Sequence, residues 1–356
     1  MQKGISLFPG MGYPLSASLD YLQAARRAGF TRLFTSLHIP EADDGLLSEF
    51  RLLAAEAAAL GFSLTADISP LTFRLLSAGL DRLEPLQQLG LQAVRLDFGF
   101  TAAEIAAWTR QSGFCVELNA STIDAAMLDA IMAAGADAAK LQACHNYYPR
   151  PETGLGWELF ASRCRLFNTR GIAVAAFIPS LQNPRGPLQA GLPTLERHRR
   201  SGPVAAAKEL FCSGLVDAVL FGDPLAARSE IEAVGALRDD CLPLRVRLSG
   251  DISQAERRIL FAGHVNRLDP GEAVVRSATA RSLHAGEVPA RLARRRGRGS
   301  VTIDNTRYLR YMGELQIVRQ ELAADERVNV VARIAPEEEF LIDLIRPGMK
   351  FRFVEE

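Results

Sequence analysis

Short apolar runs and Ala/Leu-rich helical stretches alternate eight times along the first 240 residues, and this alternation constrains the fold more than any other feature. Glycine follows most of the helical stretches, where a left-handed residue can end a helix without a Cβ clash. Eight such β/α units predict a TIM barrel. A doubly wound parallel sheet is the alternative, but it usually has fewer strands, and no GxGxxG turn follows the first run. The runs lie at residues 4–8, 31–36, 62–67, 93–97, 114–119, 137–143, 171–178 and 216–222.

After residue 240 the pattern changes to strand-like runs joined by polar turns, such as GSVTIDN, NVVARI, FLIDLI and MKFRFVEE. This change predicts a barrel domain over residues 1–240 and a small, mostly β domain over residues 241–356. The arginine-rich segment 291-RLARRRGRGS-300 falls inside the second domain. A solvated loop is favoured over a nucleic-acid-binding patch, because no aromatic residues interleave with the arginines.

The charge balance gives no sign of a nucleic-acid or membrane partner, because Lys+Arg and Asp+Glu both number 41. Neither an apolar run of about 18 residues nor a leader-like apolar segment near the N-terminus occurs, which predicts a cytoplasmic protein. The five cysteines are odd in number and lack CxxC spacing, which favours buried, reduced thiols.

Three acidic residues end or follow predicted strands: Asp67, Asp97 and Glu117. A buried carboxylate costs several kcal/mol unless it is paired, hydrogen-bonded or protonated. In a TIM barrel the carboxyl ends of the strands form the face that carries the active site, so these acids are expected side by side there. The two-residue period of a strand places Arg95 on the face of Asp97, and Asn119 on that of Glu117. Any single acid could instead cap a helix or hold a loop.

Two long loops add candidate binding residues at the same face. The loop after the sixth run carries His145, Asn146 and Tyr147, which suit recognition of sugar hydroxyls and stacking. The loop after the seventh run carries Ser180 and Arg185, and loops in this part of a TIM barrel often hold phosphate.

The end of the eighth run adds a second candidate for the phosphate site. Gly222 precedes a predicted helix, whose N-terminus could face an anion. The neighbouring Asp223 would repel phosphate unless its side chain points away.

The sequence lacks the motifs of several large enzyme classes. HxH, HExxH, GxSxG and Walker sequences do not occur, so we expect neither a metal nor a cofactor. Rim carboxylates without such motifs favour acid/base chemistry, and glycoside hydrolysis needs two acids, one of them protonated.

Nine segments spread over nearly the whole chain share the pattern of one known family. They are 4-GISLFPG-10, 94-VRLDFGF-100, 116-VELNAS-121, 145-HNYYP-149, 153-TGL-155, 191-GLPTLERHR-199, 313-GELQIVRQEL-322, 325-DERVNVV-331 and 338-EEFLIDLIRPGMKF-351. These segments resemble the bacterial 6-phospho-N-acetylmuramidase family, whose members were long known as uncharacterised outer surface proteins. The resemblance implies a TIM-barrel phospho-sugar glycosidase followed by a small cyclophilin-like β domain. The implied reaction is cytoplasmic hydrolysis of a 6-phosphorylated muramyl disaccharide to N-acetylmuramic acid 6-phosphate and N-acetylglucosamine in cell-wall recycling.

By this resemblance, Asp97 and Glu117 match the family's RLD and ELN segments, with Asn119, His145 and Asn146 beside them. Which carboxylate acts as acid and which as base or nucleophile stays open. The sequence departs from the family's usual pattern at two rim positions, residue 10 and residues 222–224.

Two other functions stay open. One is a sugar-phosphate-binding or regulatory protein without turnover. The other is a barrel lyase or isomerase that uses Arg95 and Asp97 on a phosphorylated ketose. A homo-oligomer also stays open.

Overall fold

A computed structural model describes residues 1–36, 44–68, 84–96, 99–110, 115–250, 252–283 and 286–356. The chain divides into two compact units, Met1–Leu237 and Arg238–Glu356. No helix in the described part of the chain combines the length and the apolar composition that crossing a membrane requires.

The first unit is a closed barrel of eight parallel strands that follow one another in chain order. The predicted TIM barrel is therefore confirmed. The strands are β1 (Gln2–Ser6), β2 (Arg32–Ser36), β3 (Ser63–Ile68), β4 (Ala93–Leu96), β5 (Cys115–Asn119), β6 (Leu141–Cys144), β7 (Ala173–Ile178) and β8 (Ala218–Pro224).

Helices alternate with these strands, and glycines end many of them. Six of the glycines that follow predicted helices have a positive φ, at residues 29, 61, 90, 135, 171 and 214, as a left-handed helix end requires. The helices are α1 (Leu15–Arg27), α2 (Asp44–Ala59), α3 (Glu84–Gln88), α4 (Ala102–Arg110), α5 (Ala125–Ala133), α6 (Trp157–Asn168), α7 (His198–Ser213) and α8 (Arg228–Gly235).

The start of the sixth strand differs from the prediction. Residues 137–143 were expected to form it, but Ala138–Lys140 is a 3₁₀ helix and the strand begins at Leu141. The Asp137 carboxylate accepts a hydrogen bond of 3.0 Å from the Ala139 amide and so caps this turn. An N-cap aspartate is a local signal that competes with the strand-like pattern.

Side chains inside the barrel divide into an apolar part and a polar part. The apolar part is a separate cluster from the first loop and from β2, β6, β7 and β8: Phe8, Phe34, Cys144, Ala175, Phe177, Ala218 and Leu220, with Tyr147 packed against it. Strands β3 to β5 instead place polar side chains on the corresponding face, by the two-residue period of a strand. Alternate residues such as Leu33, Leu64 and Val94 belong to a second, larger cluster that also includes residues of the helices.

The second unit is built around one seven-stranded sheet, which confirms the predicted mostly β fold. The strands are β9 (Leu242–Leu248), β10 (His264–Val265), β11 (Val274–Arg276), β12 (Ser300–Asp304), β13 (Leu315–Val318), β14 (Val328–Ile334) and β15 (Lys350–Glu355), and the helices are α9 (Gln254–Leu260) and α10 (Ala280–Leu283). The spatial order of the sheet is β10-β15-β9-β14-β12-β13-β11, and β15 and β9 run parallel. The cyclophilin-like character of this unit stays a prediction.

The run FLIDLI at residues 340–345 was predicted to form a strand, and this prediction is wrong. A 3₁₀ helix spans Pro336–Leu344 instead, with proline in its first turn. The buried Glu338 carboxylate accepts a 2.9 Å hydrogen bond from the Arg245 amide on β9 and so binds this helix to the sheet. A contact between residues so far apart in sequence outweighs the local β propensity.

The arginine-rich segment forms a loop in which three arginines form ion pairs within the second unit. Arg291 Nη2 lies 2.9 Å from Glu256 Oε1, and Arg298 Nη2 lies 2.8 Å from Asp343 Oδ2. Arg295 forms an ion pair with Glu321. Arginines that are paired with carboxylates in this way are less available to bind the phosphates of a nucleic acid.

Asp304 on β12 is buried, with 4% of its surface exposed. Burial, together with the nearby Glu314 and Asp325, raises the pKa of this carboxyl to about 7, although Arg296 and Arg276 act in the opposite direction. An unfolded aspartate loses its proton near pH 4, whereas the folded protein keeps this proton up to about pH 7. Stability is therefore expected to fall as the pH rises from about 4 to about 7.

Asp304→Asn should remove the loss of stability that is expected between about pH 4 and about pH 7. We expect the free energy of unfolding to increase by roughly 1–3 kcal/mol at about pH 8 and to change little near pH 4. Urea denaturation at the two pH values measures the difference, with Asp269→Asn on the exposed surface as a control. Equal effects of Asp304→Asn at both pH values would contradict the prediction.

Candidate active site at the barrel mouth

Four polar side chains lie next to one another on the inner face of β3 to β6. In the strand register Asp67 pairs with Arg95, and Arg95 pairs with Glu117. Glu117 in turn pairs with Gln142. Asp97 lies outside the described residues, so Asp67 and Glu117 are the predicted acids that the structure places.

Arg95 is the centre of a hydrogen-bonded group at the mouth. Its Nη1 donates to Asp67 Oδ2 at 3.3 Å, and its Nη2 donates to Asn146 Oδ1. Asn119 Nδ2 donates to the same Asn146 oxygen at 3.1 Å. Arg95 is buried, but the Asp67 side chain keeps 16% of its surface exposed. Asp67 is thus a partly exposed carboxylate that a buried cation holds through Oδ2, while its Oδ1 is buried.

Glu117 lies deeper and is only 1% exposed. Its Oε2 accepts hydrogen bonds from Arg32 Nη2 at 2.8 Å and from Gln142 Nε2 at 2.7 Å. Its Oε1 is buried and accepts no hydrogen bond from any described residue. Glu117 thus has an arginine on one oxygen and can accept a further hydrogen bond on the other.

The two partners of Glu117, Arg32 and Gln142, were not among the site residues predicted from the sequence. Arg32 occupies an inward position of β2, two residues before the buried Phe34. A charge in a strand that is otherwise buried was the signal that could have revealed it.

His145 lies beneath the mouth and is closed to solvent, with 0% of its surface exposed. Its Nδ1 is 3.1 Å from Ser121 Oγ, and its Nε2 is 3.3 Å from Cys164 Sγ. Burial lowers the pKa of His145 to about 3, so the imidazole is neutral. Ser121 Oγ also accepts a 2.9 Å hydrogen bond from the backbone N–H of Asn146. His145 therefore positions Asn146 instead of facing the mouth.

Aromatic rings form the opposite side of the mouth. Tyr147 packs edge-on against three phenylalanines, with ring centroids 6.1 Å from Phe8, 6.4 Å from Phe34 and 5.2 Å from Phe177. The Arg95 guanidinium carbon lies 5.9 Å from the Phe34 centroid, so the polar and aromatic sides adjoin. We name Phe8, Phe34, Tyr147 and Phe177 the aromatic wall.

Arg185 lies against the aromatic wall. Its guanidinium carbon is 4.9 Å from the Phe8 centroid and 5.1 Å from the Tyr147 centroid, and its Nη1 donates to the Tyr147 hydroxyl at 3.3 Å. Its Nε is buried and donates to no described residue. The cation is thus held against two aromatic rings, and its Nε is a donor that no described residue satisfies.

The loop that carries Arg185 is held by buried polar side chains. Asp223 Oδ1 accepts a 2.8 Å hydrogen bond from the Arg185 amide, and Asp223 Oδ2 accepts one of 2.8 Å from the Ser180 amide. Ser180 Oγ donates to Glu230 Oε2 at 2.6 Å. Asp223 therefore points to backbone N–H groups and away from the mouth, and burial raises its pKa.

Gly222 allows the chain to pass close to the same loop. A Cβ at this position would lie 2.3 Å from the carbonyl oxygen of Leu192, which only glycine avoids. The N-terminus of α8 already holds a carboxylate, because Glu230 Oε2 accepts a 3.2 Å hydrogen bond from the Ala227 amide. Ser180 and Gly222 thus lie behind the mouth, where they position the loop.

The segment 191–199 connects the loops after β6 and β7. Thr194 Oγ1 donates to the Asn146 carbonyl oxygen at 2.8 Å. Glu196 accepts hydrogen bonds from the amides of Glu152 and Gly154, and its bond with Arg199 is the largest of the effects that lower the pKa of Glu196 to about 2. This network explains the polar residues of the segment without a contact to substrate.

Comparison with known proteins decides the family. The N-terminal model of the 6-phospho-N-acetylmuramidase family matches residues 3–236, and the C-terminal model matches residues 242–354. This chain belongs to the 6-phospho-N-acetylmuramidase family. Membership indicates a glycosidase that acts on a phosphorylated sugar.

Two solved structures are similar to the chain over almost its full length. An uncharacterized B. cereus protein is 34% identical, with a TM-score of 0.90 and 99% of each chain covered. A conserved Enterococcus faecalis protein of unknown function is also 34% identical, with a TM-score of 0.79 and coverage of 100% of this chain and 97% of that one. No curated protein matched the sequence.

The described residues of this family member provide carboxylates, amides and a guanidinium at one mouth. Asp67, Asn119 and Asn146 surround Arg95, and Arg185 with Tyr147 lies across from them. Among the residues described, no group of three or more His, Cys, Asp and Glu side chains is arranged to hold a metal ion. The arrangement suits proton transfer and recognition of an anionic sugar.

Proposed function

We propose that the protein hydrolyses a 6-phosphorylated muramyl disaccharide, N-acetylmuramic acid 6-phosphate–β-1,4–N-acetylglucosamine, in the cytoplasm during cell-wall recycling. The observation that carries the proposal is the pairing of two features at one barrel mouth. One is the partly exposed Asp67 carboxylate held by Arg95, and the other is the Arg185 guanidinium on the aromatic wall. The family membership supports the same substrate class.

Hydrolysis of a glycosidic bond needs two carboxyl groups with different roles. One protonates the leaving oxygen, and the other activates water or attacks the sugar. Asp67, Asp97 and Glu117 are the proposed suppliers. Asp67 is the one with an open side chain, whereas Glu117 offers a single vacant oxygen beneath it.

The remaining mouth residues recognise the substrate in this proposal. Asn146 is bonded to Arg95 and can contact sugar hydroxyls, and the buried Asn119 holds Asn146 in place through its Nδ2. Tyr147 offers the apolar face of a ring to the sugar. Arg185 binds the phosphate, because a guanidinium fork forms strong, charge-assisted hydrogen bonds with phosphate oxygens.

Hydrolysis of the phosphorylated disaccharide, with its unphosphorylated form as control, tests this function. We expect the intact protein to release N-acetylglucosamine from the phosphorylated compound only. Cleavage of both at equal rates would refute the phosphate site. Cleavage of neither, together with tight binding of the phosphorylated sugar, would favour a binding protein without turnover.

Arg185→Ala should reduce the preference for the phosphorylated substrate. A hydrogen bond to a charged group contributes about 1.5–3 kcal/mol, so kcat/KM should fall by roughly 10–150-fold on the phosphorylated disaccharide. Arg165→Ala, on the exposed side of α6, is the matched control and should leave kcat/KM unchanged. An unchanged kcat/KM for Arg185→Ala would place the phosphate elsewhere.

A further inference from the structure

A cleft of about 720 Å³ opens beside Arg185. Met11 and Tyr13, from the loop after β1, form one side, and the residues on either side of Arg185, Pro184 and Gly186, form another. Sites for small ligands commonly measure about 300–1,000 Å³, so the cleft is large enough for a sugar ring.

The lining of this cleft is neutral. None of the described residues that line it carries a charge. Met11, Tyr13 and Leu225 provide apolar surface, and the amides of Asn183 and Gln189 provide polar atoms. This composition fits a neutral ligand that has hydroxyl or amide groups and an apolar face.

Gln182 is a third side-chain amide in the lining, and the three amides differ in how they are bound. Gln182 Nε2 donates to Ser229 Oγ at 3.2 Å. Asn183 Nδ2 donates to the Leu225 carbonyl oxygen at 2.9 Å and so joins two walls. The exposed Gln189 side chain makes no hydrogen bond to any described residue. Gln189 is therefore the amide that a ligand can engage at both ends.

Backbone strain is concentrated in the same cleft. Gln189 and Leu225 line it and have φ values of 49° and 53°, which side-chain-bearing residues rarely adopt. Strain of this kind persists where the surroundings impose it, and it is common in binding sites. The Gln189 amide donates to the Arg185 carbonyl oxygen at 3.1 Å, so one loop both presents the cation and holds the strained residue.

We propose that this cleft is the subsite for the neutral leaving sugar, N-acetylglucosamine in the reaction proposed above, and the inference rests on that function. A disaccharide whose phosphate contacts the Arg185 guanidinium can extend its neutral ring into the adjoining cleft. The Gln189 amide then bonds the hydroxyl or acetamido groups of that ring and determines specificity for it.

Gln189→Gly tests this assignment. Glycine adopts a positive φ without strain, so the substitution removes the side chain and keeps the loop. We expect kcat/KM for the phosphorylated disaccharide to fall about tenfold, the size of one or two lost hydrogen bonds. An aryl glycoside of N-acetylmuramic acid 6-phosphate lacks the second sugar, and its kcat/KM should be unchanged.

Glu152→Gly is the matched control. Glu152 also has a positive φ, 70°, in the loop after β6, but it does not line the cleft. Both substrates should react with this variant as with the parent protein. An equal loss on both substrates in Gln189→Gly would overturn the subsite.

A binding measurement separates the subsite from the proposed reaction. Saturation-transfer NMR with free N-acetylglucosamine should give signals with the parent protein and Glu152→Gly, and weaker signals with Gln189→Gly. If the parent protein cleaves neither substrate, the proposed function fails, yet these spectra still decide the subsite. Absence of saturation transfer with the parent protein would overturn it.

Discussion

Asp67→Asn is expected to lower kcat on the phosphorylated disaccharide by about 10²–10⁴-fold, the usual contribution of a positioned acid or base. Asp67 is the predicted acid that is open to the mouth, and the buried Arg95 fixes its position at 3.3 Å. Asparagine keeps the shape of the side chain but cannot donate or accept a proton as a carboxyl group does. Initial rates of N-acetylglucosamine release measure the effect.

Asp20→Asn is the control for this prediction, because Asp20 is exposed on α1 and should tolerate the change without loss of rate. Asp97→Asn and Glu117→Gln extend the comparison to the other two acids. Full activity of Asp67→Asn would exclude Asp67 from the chemistry. Full activity of both other variants would exclude Asp97 and Glu117.

The same variants can show which carboxyl group is the general acid and which is the base or nucleophile. A 4-nitrophenyl glycoside has a leaving group that needs no proton, so a variant that lacks the general acid should recover most of its rate on it. A variant that lacks the base or nucleophile should stay slow on both substrates. This comparison assigns the roles that the strand positions leave open.

Arg32→Met is expected to destabilise the protein by about 3–5 kcal/mol, because it leaves the Glu117 carboxylate buried without its cation. Glu117 is 1% exposed, and its ion pair with Arg32 has a length of 2.8 Å. The double variant Arg32→Met/Glu117→Gln removes both charges, and we expect it to recover a large part of the lost stability.

Urea denaturation of the two single variants and the double variant provides the complete cycle. Arg27→Met, in the last turn of α1 and exposed, is the matched control and should change stability little. If Arg32→Met were as stable as this control, the carboxylate would have to be satisfied in another way. If the double variant were less stable than Arg32→Met, the loss would come from packing and not from the unpaired charge.

These two predictions divide the polar side of the barrel into two levels. Asp67 and Asn146 lie at the mouth, where the buried Arg95 holds both of them. Glu117 and Arg32 lie beneath, where their charges stabilise each other in the barrel interior. The main loss expected for Asp67→Asn is thus a loss of rate, whereas Glu117→Gln is expected to lose both rate and stability.

Local patterns were sufficient for the architecture. In the sequence, each strand–helix unit shows its own apolar periodicity, and many of the helices end at a glycine. Eight units could therefore be counted without tertiary information. The position of Asp67 and Glu117 on one face followed as well, because parallel strands in a barrel end at the same edge. Local patterns failed to predict the secondary structure where a contact distant in sequence determines it. At residues 340–345 the predicted strand is a 3₁₀ helix, which Glu338 binds to β9.

The sequence by itself therefore determined the barrel, the mostly β second unit and the set of polar residues at strand ends, because these depend on neighbours along the chain. Only the tertiary structure decided how that set is used. Arg32 reaches Glu117 across 85 residues, and Arg185 lies on Phe8 and Tyr147 from a different loop. His145 turns beneath the mouth because Ser121 and Cys164 bond to its ring. Such contacts form when the barrel closes, and no local period in the chain encodes them.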